Sequence, residues 1–176
     1  MSNDKLNFTA HKKSLIAIAL SCGTLLAMAA DLPNAHMTPG ALNPNVTQAN
    51  IHATICVKGF TKTIRPPVYF TNRLKRRQID QYGYTDTNPK HYEEDHFVAL
   101  GIGGDPTSER NLWPQPRNSE WNAEKKDHLE YVLQKMVCSG EILLAQAQHD
   151  MATNWISAYK AYVPTHSKWH YAGGAD

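Results

Sequence analysis

The chain has 176 residues, with 18 Lys and Arg against 16 Asp and Glu, and it is 41% hydrophobic, 9% aromatic and 19% charged. That length holds one domain with a self-supporting core, and the composition excludes a disordered, collagen-like or multi-span membrane chain. A formal charge of +2 is too small to argue for a polyanionic partner.

That charge changes once the N-terminus is read. Behind His11-Lys12-Lys13, the run from Ser14 to Ala30 carries no charge. It is slightly short for a spanning helix at about 1.5 Å per residue. A charged start, this apolar run and Ala27-Met28-Ala29 predict a secretory signal peptide over residues 1–29, removed after Ala29. A retained anchor helix is the alternative, and lipid attachment at Cys22 a weaker one. Cleavage takes away three Lys and one Asp, leaving 147 residues with 15 charges of each sign. The mature protein is expected to be secreted or periplasmic, monomeric and free of the membrane.

Residues 30–50, rich in Pro, Asn and Thr, read as an extended leader. Ile51 to Phe60 carries β-branched residues and predicts a strand, ended by Pro66-Pro67. Thr71 then caps a helix stopped by Gly83. Residues 84–92 are turn-like, and residues 93–104 read as a strand entering a Gly-rich turn. A loop over 105–117 leads to Ser119, which can cap a helix to about Cys138 before Ser139-Gly140 breaks it. A second helix from about Ile142 to Tyr162 places Leu144, Ala147, Met151, Trp155, Tyr159 and Tyr162 on one core-facing stripe. Residues 164–176 read as a flexible tail, so one domain spans 51–163.

Cys22 leaves with the signal peptide, so Cys56 and Cys138 remain. An even pair in an oxidising compartment predicts a disulfide, with a catalytic thiol as the alternative. Charge is segregated. Lys58, Lys62, Arg65, Arg73, Lys75, Arg76 and Arg77 occur with no acidic residue between Leu32 and Ile79. Asp80, Asp86, Glu93, Glu94, Asp95, Asp105 and Glu109 follow with one basic residue, Lys90. This order suits a polyanion-binding surface beside a metal site, or else a solvated basic helix face.

The segment Glu93-Glu94-Asp95-His96, its Gly-rich turn at Gly101 to Gly104, and Asn111-Leu112 resemble the HNH endonucleases. A wider resemblance, from about Leu42 to Trp155, is to small secreted bacterial proteins with an HNH-like core. It is carried by Cys56, Arg65-Pro66-Pro67, Tyr92-Glu93-Glu94-Asp95-His96, Asn111-Leu112-Trp113-Pro114, Lys126-Asp127-His128-Leu129-Glu130 and Val137-Cys138-Ser139-Gly140. The resemblance implies an α+β fold with a ββα-metal core over 93–138. It also implies one helix before the motif, one or two after it, and a metal-dependent nuclease activity.

The residue chemistry agrees. Neighbouring strand residues point to opposite faces, so Asp95 and His96 can take different tasks. Asp95 is a hard oxygen ligand for a divalent cation, Mg²⁺ ahead of Mn²⁺ or another transition metal. His96 can serve as a general base near neutrality. In the HNH pattern Asn111 takes the scaffold position that orients this imidazole, and a His or Asn on the helix supplies the remaining ligand. Of Asn122, Asp127 and His128, helical phase favours Asn122. At about 100° per residue it falls within about 40° of Lys126, Leu129, Leu133 and Met136, with Asp127 and His128 about 120–140° away.

Nucleic acid, DNA ahead of RNA, is the expected partner, and an inhibitor protein is left open. The seven basic residues of 58–77 would contact phosphates, with Arg110 and Lys126 nearer the motif. Arg110 could instead pair with Glu109, and Lys126 with Glu130 at i+4. Trp113-Pro114 reads as a packing wedge. The rival functions are a non-catalytic binding module and a glycan hydrolase using Glu93 and Glu94. Adjacent strand carboxylates diverge, which disfavours the latter.

Overall fold

Two short strands form the sheet, β1 (Tyr92–His96) and β2 (Leu112–Pro116), paired antiparallel from Tyr92↔Pro116 to His96↔Leu112. β2 lies inside the segment expected to be a loop. Pro114 and Pro116 argue against an interior strand, but in a two-stranded sheet every strand is an edge and a missing N–H can face outward. The computed structural model describes residues 31–169 and 171, so the signal peptide expected over 1–29 and Cys22 lie outside the described residues.

The expected strand at Ile51 to Phe60 is absent. A 3-10 turn (Gln48–Ala53) stands there, begun by a reciprocal capping box in which Asn50 Oδ1 accepts from Thr47 N at 2.8 Å. Ile51 and Ile55 are buried but Ala53 between them is exposed, which one face of a strand would not give. A short helix α1 (Phe60–Ile64) follows, then α2 (Val68–Gln81). Pro67, not Thr71, precedes the first turn of α2, and the Thr71 hydroxyl donates back to Val68 O.

Helix α3 (Ala123–Ser139) ends at Gly140, whose φ of 78° is the left-handed stop that Ser139-Gly140 predicts. Its N-cap is Asn122 rather than Ser119. Helix α4 (Leu144–Tyr162) buries Leu144, Ala147, Met151 and Trp155 as its stripe requires. Asn154 adopts extended angles inside it (φ −165°, ψ 93°), and its Oδ1 accepts from Ser157 N to restart the helix.

The core lies between the hairpin, α3 and α4. Trp113, Val98, Ile102, Leu129, Leu133, Met151 and Trp155 meet there, all without solvent exposure. Each such side chain contributes about 1.5–3 kcal/mol by leaving water. Trp113 is thus the packing wedge its sequence position suggests. The architecture is α+β with a small antiparallel sheet, and the Cys56–Cys138 disulfide is formed across 82 residues. It ties the segment before α1 to the end of α3.

Both ends of the domain extend further than the sequence suggests. In the leader, Gly40 N and Ala41 N donate to Arg110 O, Asn43 N donates to Gly103 O, and Trp155 Nε1 donates to Asp31 O. In the expected flexible tail, Pro164–His166 forms a 3-10 turn, His166 Nε2 meets Glu141 at 2.7 Å, and Trp169 packs against the core. Among the described residues no helix is long and apolar enough to cross a membrane.

Candidate functional site

The end of β1 sets the site. Asn111 is fully buried and staples the loop that follows. Its Oδ1 accepts from Val98 N at 2.8 Å, and its Nδ2 donates to Val98 O and Asp105 O at 2.9 and 3.0 Å. Gly104 permits this close approach, since a Cβ there would stand 1.8 Å from Val98 O. The stapled loop carries Pro106, whose carbonyl lies 2.9 Å from His96 Nε2. A carbonyl can only accept, so Nε2 carries the proton and Nδ1 is left as the acceptor. Burial lowers the imidazole's pKa, against the pull of the Pro106 carbonyl and Asp95, so the ring is neutral at neutral pH.

Helix α3 supplies the opposite wall. Glu124, Asp127, Tyr131, Gln134 and Cys138 recur at helical spacing along one side of it. With Asp95, His96, Glu130 and the segment Ile55 to Arg65, they line an open cleft of about 750 Å³. The oxygens of Asp95, Asp127 and Glu130 that could serve as ligands lie within 4.8 Å of one another. Burial, reinforced by neighbouring carboxylates, raises the pKa of Asp127 to about 7 and that of Glu130 to about 8.

One cation is built into this cluster. Lys126 is completely buried, and its Nζ donates to Asp95 Oδ2 at 2.6 Å, to His96 O at 2.7 Å and to Glu130 Oε1. Burial alone would favour the neutral amine, but Asp95 and Glu130 outweigh it and hold the ammonium charged. Lys126 is therefore an internal brace, not a phosphate contact. With Asp127 and Glu130 partly protonated near neutrality, a bound cation would displace their protons, and Asp95 and Glu130 each keep a second oxygen beyond the one bonded to Lys126. That hard oxygen donor set fits Mg²⁺ or Mn²⁺.

Asn122 does not belong to this set. Its Oδ1 accepts from Lys125 N at 3.1 Å as the helix cap, and it lines a separate hollow with His128, Tyr159 and Tyr171. A place on the core-packing stripe does not make Asn122 a ligand. A site open to solvent lies beside that stripe instead, where Asp127 and Glu130 stand.

The basic residues also divide. Lys58, Lys62 and Arg65 line the cleft. Arg73 and Arg76 are exposed on α2, and Arg110 is exposed on the loop before β2. Lys75 Nζ donates to Tyr92 O at 3.1 Å, and Arg77 pairs with Glu109 at 2.5 Å. None of these five lines the cleft. Two cleft cations were missed, Arg117, which pairs with Glu93 Oε2 at 2.8 Å, and Lys135. Tyr171, brought in by the folded-back tail, was missed as well; its hydroxyl donates to Asp127 Oδ2 at 3.4 Å. Asp127 and Glu130 were visible in the Lys126-Asp127-x-x-Glu130 pattern, but only the tertiary structure aims them at Asp95.

In comparisons with known proteins, no family model, no curated protein and no solved structure matches the chain.

Proposed function

We propose that the cleft is the catalytic site of a metal-assisted phosphodiester hydrolase acting on nucleic acid, built on a ββα-metal unit of the HNH type. The observation that carries the reading is the placing of one neutral imidazole, its tautomer set by Pro106 O, in the same cleft as the converging carboxylates of Asp95, Asp127 and Glu130. The order β1–β2–α3 and the basic wall of Lys58, Lys62 and Arg65 support it.

On this reading His96 Nδ1 accepts a proton from the attacking water while the Pro106 carbonyl holds the ring in place. Asn111 maintains the loop that presents this carbonyl. Asp95, Asp127 and Glu130 would hold the divalent cation, Mg²⁺ ahead of Mn²⁺, and Lys126 orients two of these carboxylates. When bound, the cation supplies neutralisation of charge on the phosphate and the leaving oxygen. The basic wall holds the flanking phosphates, so binding weakens with salt. The site acts in a secreted or periplasmic setting, where the disulfide persists.

The test is incubation of the oxidised protein with supercoiled plasmid and with RNA, in Mg²⁺, Mn²⁺ or EDTA, beside His96→Ala. Cleavage that needs metal and falls about 10²–10⁴-fold in the variant is expected. Equal, intact substrate in every tube overturns the proposal. A second reading, a polyanion-binding module without catalysis, is favoured by Lys126 already neutralising part of the acidic cluster. It requires binding that is insensitive to EDTA and to His96→Ala.

A further inference from the structure

Next to the cleft lies a second hollow of about 280 Å³, to which the nuclease reading assigns no part. His128 and Tyr159 come from α3 and α4, and Tyr171 closes it from the returning C-terminal segment. The rings of His128 and Tyr171 lie 6.5 Å apart and 21° from parallel, and Tyr159 meets His128 edge-on at 6.2 Å. Its polar rim includes Asn122, whose Oδ1 serves the helix cap.

The segment that brings Tyr171 is anchored on both sides of the turn. His166 bridges to Glu141 at 2.7 Å and stacks on Trp169 at 4.8 Å, and the Trp169 carbonyl accepts from His128 Nε2 at 3.2 Å. Tyr171 lines both the hollow and the cleft that holds Asp95 and His96. A phosphate in the cleft would therefore bring the base of the adjoining nucleotide to Tyr171.

We infer that this hollow seats an unpaired nucleobase beside the reacting phosphate, which makes single-stranded nucleic acid the preferred substrate; the inference rests on the nuclease reading. Aromatic faces accept the flat face of any base, and an amide donor on the rim meets a base carbonyl or ring nitrogen. A base inside a duplex has its faces covered by its neighbours and cannot enter. The hollow therefore discriminates strandedness rather than sequence.

The test measures anisotropy of a short labelled single strand and of its blunt duplex, in Mg²⁺, with the chain carrying His96→Ala so that substrate survives. Tyr171→Ala is added to that background, and Tyr171→Phe beside it. The single strand is expected to bind more tightly than the duplex. Tyr171→Ala should weaken the single strand by about 5- to 150-fold more than it weakens the duplex, the value of one stacked base, any loss shared by both strands being that of the hydroxyl's bond to Asp127. Tyr171→Phe should keep the affinity, because the ring and not the hydroxyl makes the seat. Equal binding of both strands that is indifferent to Tyr171→Ala overturns the seat alone. A Tyr171→Phe loss as large as that of Tyr171→Ala overturns it too, since the hydroxyl's bond to Asp127 would then be the cause. Failure of both strands to bind the His96→Ala chain sinks the nuclease reading itself.

Discussion

Replacing Cys56 and Cys138 with alanine removes the covalent tie between the basic wall of the cleft and α3. The two cysteines are 82 residues apart. On the chain-entropy account, closing a loop of that length takes about 15 cal/mol/K from the unfolded chain, about 4.5 kcal/mol at 25 °C. In the folded chain little changes, because Ile55 stays fully buried and Gln134 Nε2 still donates to Ile55 O at 2.7 Å. Both cysteines are only half-buried, so alanine opens no large cavity. Urea unfolding followed by the fluorescence of the buried Trp113 and Trp155 reads the effect. With a slope of about 2 kcal/mol/M, the midpoint should fall by about 2 M, and reduced wild type should match the double variant. A midpoint shift below about 0.5 M at unchanged slope would refute the argument that the bond acts by constraining the unfolded chain.

Glu94→Gln addresses a buried carboxyl whose two oxygens have no hydrogen-bond partner among the described residues and whose pKa burial pushes up to about 9. Because the folded value lies above the unfolded 4.5, wild-type stability is full below about pH 4.5 and is lost as pH rises toward 9. The variant should lose that slope and be more stable at pH 7 by about 2–3 kcal/mol, as melting across pH would report. A wild type equally stable at both ends of the range contradicts this. Lys126→Met leaves Asp95 and Glu130 without their ammonium and should cost about 3–5 kcal/mol, partly recovered by adding Mg²⁺. An unchanged melting temperature would show that the brace carries no load. Asn122→Ala should cost about 1 kcal/mol as a lost helix cap while leaving Mg²⁺ affinity intact, whereas Asp127→Asn should lower that affinity at least about tenfold. Calorimetry in which the two variants lose Mg²⁺ equally would put Asn122 back among the ligands.

The disulfide partners, the Ser139-Gly140 break and the α4 stripe were legible from residue type and spacing, and Asn111 from the resemblance to the HNH pattern. The first three depend on local chemistry: an even thiol pair, a left-handed glycine, a helical period. Less was legible where tertiary pairing overrules local preference. Pro114 and Pro116 sit in a strand because the sheet has only two, and the β-branched run from Ile51 turns as a 3-10 segment that buries Ile51.

The site divides in the same way. By itself the sequence placed Asp95 beside His96 at the end of a strand and set a basic stretch ahead of them. The tertiary structure decided which charges meet. Lys126 turned inward to neutralise Asp95, Asp127 and Glu130 came to the cleft, Asn122 went to a cap, and the tail carried Tyr171 back over the acidic cluster. The physical reason is range. Caps, turns and stripes are settled within about one or two helical turns of a residue. The charge a carboxylate faces is set by chain segments brought beside it from far along the sequence, as Lys126 is to Asp95 across 31 residues.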